Sequence, residues 1–391
     1  MRQKTGGPRV GLFVVCTFLF WFTLYTYVPT MTPYMTDLGI SYSMIGLIGG
    51  AYGLSQMILR VPLGIASDRL GKRKIFILLG LAAGAVSSFG MFFTHNAYLI
   101  FTLRLLAGVS ASAWVVFTVL FSDYFVKEKF ASSMSYLLMA NNCGVVLAKL
   151  AGSALAERFG HEYSFLLGGA AGFTAAVLGL FITEKTPERK EQPSVKDLLG
   201  VVKNRNLLAM SILAVFSQMI LFATINTFTP EAASRIGADS MQLGILSTVS
   251  SIPAIIACFI GGRIFVKKVS VRLIVALGFA LEVIGTIAVP FVKNMAVIYA
   301  SVIVAGFGFA ICMSTLLSFC TLTVDGGRRS AAMGVFQAIY GLGMFVGPVL
   351  IGLFVDWIDL AGGFYASAAL AMIGLALTFV LLKKKNLDKE D

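Results

Sequence analysis

Four ionisable side chains stand well inside long apolar stretches of this chain: Arg60, Arg104, Lys149 and Glu282. A charge within a membrane span is expensive, and it usually faces a bundle interior or a wet cavity, where it binds ions, protons or substrates. Arg104 and Lys149 each lie about seven residues from the same end of their stretches, roughly 10 Å deep at 1.5 Å per residue. If both face inward they form a positive pocket for an anionic group, or Lys149 is a proton site that switches during a cycle. The competing reading has each snorkel to the interface, or Lys149 pair with Glu157, two turns along the same face. Glu282, midway along its stretch, is a candidate proton carrier. Arg60 is expected to snorkel or to pair with an acid such as Asp123.

These residues need elements to hold them. Of 391 residues, 58% are hydrophobic and 13% are charged, about half the charged share of a soluble domain. A membrane helix needs about 20 apolar residues, and twelve such stretches can be traced. The first six run roughly 10–30, 43–66, 75–93, 97–121, 131–156 and 164–183. The second six run roughly 207–228, 241–262, 273–292, 296–319, 331–354 and 363–382. Thr94, His95 and Asn96 are the only break between the third and fourth. The apolar run after Arg2, Lys4 and Arg9 is longer than a signal core and has no clear cleavage site, so it reads as a retained helix.

The net charge of +12 suggests nucleic acid until the basic residues are placed. With both termini cytoplasmic, 25 of the 31 Lys and Arg fall in the tails and cytoplasmic loops. Only Arg158, Arg235 and Lys293 lie in the opposite loops, the asymmetry of a positive-inside topology. The charge is therefore an orientation signal, and nucleic acid is not an expected partner. The five cysteines lie in apolar stretches with no C-x-x-C pair, and His95 and His161 are far apart, so no metal site is expected. Neither H-E-x-x-H nor G-x-S-x-G occurs, and the ionisable residues are scattered, so the chain is not expected to be an enzyme.

Glu184 to Arg205 is the one long polar stretch, and Val195–Val202 within it reads as a short interfacial helix. It divides the chain into an N-terminal bundle (1–184), a cytoplasmic linker (185–206) and a C-terminal bundle (207–391). The halves repeat weakly at a nearly constant offset. Gly46 matches Gly244, Gly64 matches Gly262, Gly108 matches Gly306 and Gly144 matches Gly343. Parallel six-helix repeats are a transporter architecture with the site between the halves.

The loop after the second stretch reads Gly64-Ile-Ala-Ser-Asp68-Arg69-Leu-Gly71-Lys72-Arg73-Lys74. Gly64 allows close helix approach and Gly71 a tight turn. Asp68 is placed to accept from Arg69 or to meet a helix N-terminus. This run resembles the signature of the major facilitator superfamily, departing from it only where Lys72 replaces the usual Arg. Span count, central linker and repeat extend the resemblance along the whole chain. It implies that Gly64, Asp68, Arg69, Gly71, Lys72 and Arg73 form a latch that holds the outward-facing state. In the second half Val266 and Val269 replace Asp68 and Gly71, so the first-half latch should dominate.

Arg104 and Gly108 resemble the family's R-x-x-Q-G motif, with Ala107 in place of Gln. The antiporter run G-x-x-x-G-P is degraded in the fifth stretch, where Ala148-Lys149 replaces Gly-Pro, and a related run appears in the eleventh as Gly343 to Pro348. The resemblance implies that helices one, four, seven and ten line the cavity. It thereby nominates Trp21, Tyr25 and Tyr27, then Trp114, then Gln218 and Asn226, then Ser314 and Thr315, with Asn141 and Asn142 two turns from Lys149. It places the ninth helix, and so Glu282, at the periphery.

The expected protein is all-α and integral to the membrane, with twelve helices in two pseudo-symmetric six-helix bundles. Its expected function is gradient-driven transport by alternating access of a small organic solute, anionic or neutral and amphipathic. Substrate or coupling candidates are Arg104, Lys149, Asn142, Tyr25, Trp114, Gln218, Asn226 and Glu282. Proton-coupled multidrug efflux is the alternative within the class, and a solute sensor or channel the alternative outside it. A monomer in the cell membrane is expected, with lipid and a small molecule as partners, no cofactor, and the proton as candidate coupling ion.

Overall fold

The computed structural model describes residues 7–125, 130–184, 203–252, 270–291, 293–322 and 329–382. Every regular element among them is helical. In the first half these are α1 (Gly7–Tyr25), α2 (Val28–Asp37), α3 (Tyr42–Leu70), α4 (Arg73–Phe92), α5 (Ala97–Ser112), α6 (Trp114–Ser122), α7 (Phe130–Phe159) and α8 (Glu162–Gly179). In the second half they are α9 (Arg205–Ala223), a π-turn (Thr224–Phe228), α10 (Thr229–Arg235), α11 (Ser240–Val249), α12 (Val271–Ala288), a 3₁₀ turn (Val289–Phe291), α13 (Met295–Leu322), α14 (Arg329–Trp357) and α15 (Leu360–Leu381). Among the described residues, ten helices are long and apolar enough to cross a membrane. The sixth expected stretch is the 18-residue α8. The eighth begins as α11, and its continuation, with Val266 and Val269, lies outside the described residues. The expected interfacial helix at 195–202 also lies outside them.

Expected breaks fall where local chemistry puts them. The Asn96 side chain caps α5 by accepting from the Tyr98 and Leu99 amides, which ends the ambiguity between the third and fourth stretches. Asn204 caps α9 in the same way. Gly71, at φ +60°, makes the turn from α3 to α4.

Among the described residues, three spans are interrupted. The first breaks at Thr26–Tyr27, between α1 and α2. Pro29 explains this, because it has no N–H for the Tyr25 carbonyl and its ring crowds that carbonyl. The fourth breaks at Ala113, between α5 and α6. The seventh slips into the π-turn just before Pro230, which opens α10 and likewise cannot donate to the Asn226 carbonyl.

The chain forms two compact units, one of residues Met1–Met31 and Ile58–Gln192, the other of Thr32–Met57 and Pro193–Asp391. In the first, α7 runs parallel to α1 in tight register. A Cβ at Gly144 would lie 2.5 Å from the Phe18 carbonyl oxygen, and one at Gly152 would lie 2.7 Å from the Thr26 carbonyl carbon. In the second unit α14 meets α9 alike, with Gly343 against Val215 and Gly347 against Met219. The repeat pair Gly144 and Gly343 thus does the same work in each unit, bringing small residues against a neighbouring backbone.

The second unit also holds the first half of α3 on α14. Gly46 abuts Pro348, Gly50 abuts Phe345 and Gly53 abuts Met344. At the start of α3, the Asp356 carboxylate accepts from the Tyr42 amide at 3.0 Å, the Ser43 amide at 2.7 Å and the Ser43 hydroxyl. It serves the first two amides of α3, beside the Ser41 hydroxyl, which accepts from the Met44 amide at 3.4 Å.

Candidate functional site

In the first unit two buried cations rest on two tyrosines at the break between α1 and α2, Tyr25 at the end of α1 and Tyr27 within the break. Arg104, from α5, donates through Nη1 to the Tyr27 hydroxyl at 3.1 Å, with its guanidinium 5.5 Å from that ring's centroid. Lys149, from α7, holds its Nζ 5.8 Å from the centroid of the Tyr25 ring. Arg104 is 5% exposed and Lys149 4%. The parallel register explains the second contact, because Lys149 lies between Gly144, which fixes α7 at Phe18, and Gly152, which fixes it at Thr26.

Tyr25 belongs to an aromatic cluster. The Trp21 ring lies 5.9 Å from Tyr25 and 5.2 Å, edge-on, from Trp114. Phe20 stacks on Phe117 at 4.8 Å, and Trp114 opens α6 directly after the Ala113 break. Such rings provide apolar surface for a flat solute, and they favour a cation on their faces. Two buried polar atoms here have no hydrogen-bond partner among the described residues: Trp21 Nε1 and Ser153 Oγ, the latter one turn from Lys149 on α7. Asn142, two turns before Lys149, is exposed and does not join this cluster.

The second unit holds a separate buried polar pair. Ser217 of α9 donates to Glu282 Oε1 of α12 at 2.5 Å, while Glu282 Oε2 has no partner among the described residues. Glu282 is 1% exposed. Its contact with Ser217 turns it toward the seventh span, a direction the peripheral placement of the ninth helix does not suggest. Gln218, next to Ser217, is buried, and its Oε1 also lacks a partner among the described residues. Asn226 sits half-buried in the π-turn.

The loop between α3 and α4 is organised by Arg73. Its guanidinium pairs with Asp68 at 3.1 Å and with Asp123, the acid also considered for Arg60. Arg69 is exposed, and the partner of Asp68 is Arg73. Glu184 accepts from the Arg73 amide and, at 3.2 Å, from the Lys74 amide, capping α4, because Lys72 at the cap position makes no side-chain cap. A Cβ at Gly64 would meet only Val115 Cγ1 at 3.6 Å among the described residues, an ordinary contact. Sequence reasoning missed Glu184, Ser153 and Ser217. Pro29 and Pro230 were the available signals for the breaks.

The family model described as Major Facilitator Superfamily matches residues 13–324 and 212–391. The chain belongs to the major facilitator superfamily. It is a multi-pass membrane transporter of that family. It is 24% identical over 385 residues to an uncharacterised MFS-type transporter of Methanocaldococcus jannaschii, covering 94% of this chain and 98% of that one. It is 24% identical over 374 residues to the quinolone resistance protein NorA of Staphylococcus aureus, covering 94% and 95%. Its fold matches the nucleoside transporter NupG with a TM-score of 0.81 at 15% identity, over 95% of this chain and 98% of that one. It matches a bacterial homologue of the human lysosomal transporter Spinster, in an inward-facing and occupied conformation, with a TM-score of 0.80 at 13% identity, over 95% and 96%.

Proposed function

We propose that this transporter moves a small organic solute, anionic or neutral and amphipathic, across the cell membrane by gradient-driven alternating access. The carrying observation is the placement of Arg104 and Lys149 against Tyr27 and Tyr25, at the interruption of the first span. Interrupted helices at membrane depth supply transporter sites, because their backbone groups are free to meet a substrate. Two buried cations favour an anionic group, and the rings favour an apolar body. The arrangement of basic loops supports cytoplasmic termini. The protein acts as a monomer without a cofactor and performs no covalent chemistry.

A second reading is proton-coupled drug efflux. Glu282 Oε2, which has no partner among the described residues, favours it, since an intramembrane carboxyl with an open oxygen is placed to take up and pass on a proton. The resistance protein among the relatives supports it as well.

Counterflow in proteoliposomes tests the first reading. A carrier exchanges labelled solute faster when unlabelled solute is present on the far side. A pore shows no such acceleration, and a sensor shows binding without flux. An imposed pH gradient that drives uptake in the parent protein but not in Glu282→Gln supports the second reading, and an unchanged response in that variant removes it.

A further inference from the structure

The two ends of α3 are fastened to different parts of the chain. The division between the two compact units falls inside this helix, between Met57 and Ile58. At its end, Asp68 is tied to Arg73, which also holds Asp123, all within the first unit. At its start, Tyr42 and Ser43 are tied to α10 and α14 within the second unit. Tyr42 completes a closed ring of hydrogen bonds there. Its hydroxyl donates to Glu231 Oε1 at 3.0 Å and accepts from Arg235 Nη2, while Arg235 Nε donates to the same Glu231 oxygen at 3.0 Å. The Arg235 guanidinium also lies 5.4 Å from the centroid of the Tyr42 ring. The Tyr42 and Ser43 amides and the Ser43 hydroxyl donate to Asp356.

Two observations make these ties releasable. Arg235 and Asp356 are exposed, so water replaces the bonds they make at small cost. Behind the ties, α3 meets its neighbours through glycines. Gly46, Gly50 and Gly53 face Pro348, Phe345 and Met344 of α14, and Gly49 faces Thr227 of the π-turn. Glycines bring backbones together and insert no side chain of their own. Such a face parts along its length without drawing a side chain of α3 out of a socket.

We infer that Tyr42, Glu231, Arg235 and Asp356 form a releasable latch that holds the first half of α3 on α14, and that its release opens the transport path on the side away from the Gly71–Lys74 loop. Tyr42 is the pin of this latch, because its hydroxyl, ring and amide engage three different side chains. The four are positioning residues, which govern access without touching the solute. Alternating access supplies the reason for α3 to move, since a side that is closed must open in each cycle. The nature of the cargo plays no part.

The test reads conformation and needs no solute. Nitroxide labels are placed at the exposed tips of α3 and α14 through Ser41→Cys and Ile358→Cys, in full-length protein that also carries Cys143→Ser and Cys258→Ser. Double electron–electron resonance in lipid nanodiscs then gives the separation of the two tips. A dominant short separation is expected in the parent. Tyr42→Phe keeps the ring and removes both hydroxyl bonds, and Asp356→Ala removes the amide ties. Each should raise the fraction at longer separation roughly fivefold. Tyr42→Phe decides alone if Asp356→Ala does not fold. Thiol labelling separates release from general loosening. Thr227 is 2% exposed, so Thr227→Cys should be slow to react with a water-soluble methanethiosulfonate, and roughly fivefold faster once Tyr42→Phe is added. Cys16, Cys312 and Cys320, all buried, should stay unreactive throughout, as read by peptide mass. A tip separation unaltered by Tyr42→Phe overturns the inference. So does a rise at Cys16 and Cys312 that matches the rise at Thr227→Cys. Failure here leaves the proposed cargo standing, and failed counterflow leaves the latch standing.

Discussion

Replacing Gly152 by Ala should damage the protein far more than one methyl group suggests. The new Cβ would press on the Thr26 carbonyl oxygen and lie 2.7 Å from both the Thr26 carbonyl carbon and its Cγ2. Carbon atoms pack at about 3.5–4.0 Å, so α7 must retreat from α1 by roughly 1 Å. The obstacle is backbone on both sides, and no rotamer relieves it. Overpacking of this kind costs about 1–3 kcal/mol, here at the upper end. The helix preference of Ala over Gly returns about 1 kcal/mol, leaving a net loss of about 2 kcal/mol. Gly11, also in the first span, is the control, because a Cβ there meets nothing within 4 Å, so Gly11→Ala should be neutral or slightly stabilising.

Thiol reactivity during heating reports the difference. Cys16 on α1 and Cys312 and Cys320 on α13 are buried, while Cys143 is exposed and reacts at the outset. Unfolding of the Gly152→Ala protein in detergent should come roughly 4–8 °C earlier, taking about 2–4 °C per kcal/mol. The Lys149–Tyr25 pair lies in the same stretch of the helix interface, so solute affinity should fall roughly tenfold, the equivalent of about 1.4 kcal/mol. If Gly152→Ala and Gly11→Ala melt together and bind alike, the register of α1 and α7 described above is wrong.

Arg73→Ala leaves Asp68 and Asp123 without their shared cation and should destabilise by about 1–3 kcal/mol in the same melt. Arg73→Lys should recover only part of this, since one ammonium does not reproduce a planar fork between two carboxylates. Asp356→Ala should lower stability by about 1 kcal/mol, the worth of a helix cap, and speed hydrogen exchange at the Tyr42 and Ser43 amides before that at mid-helix amides of α3. Glu282→Gln should stay within about 1 kcal/mol of the parent, because the Ser217 hydroxyl still finds an amide oxygen. Glu282→Leu strands that hydroxyl and should lose about 1–3 kcal/mol by thermal melt.

Much of the fold was readable because a membrane allows so few solutions. Length and hydropathy mark the spans, since backbone groups in lipid must be satisfied within helices. The Thr94–Asn96 break was legible because Asn caps helices. The loop from Gly64 to Lys74 was legible as a motif, but its wiring was not. Which acid Arg73 holds depends on Asp123 and Glu184, 50 and 111 positions away, and no local pattern reports such distances. The cations of the candidate site stood out because charge is rare in an apolar span. Their partners did not, since Tyr25 and Tyr27 read equally well as packing. The ninth helix, placed at the periphery by resemblance, gave no warning that Glu282 meets Ser217.

The tyrosines at the first break also bear on how the chain is made. Span one leaves the ribosome before spans four and five, so Tyr25 and Tyr27 are in the bilayer when Arg104 and Lys149 arrive. Each late cation enters lipid at a penalty of about 2.5–3.5 kcal/mol on insertion scales, and each finds its aromatic partner already in place. The first span thus escorts the later ones during biogenesis. A protein made without it would present the insertion machinery with two unaccompanied charges, and its fourth and fifth spans would be the ones most prone to slip out of the membrane.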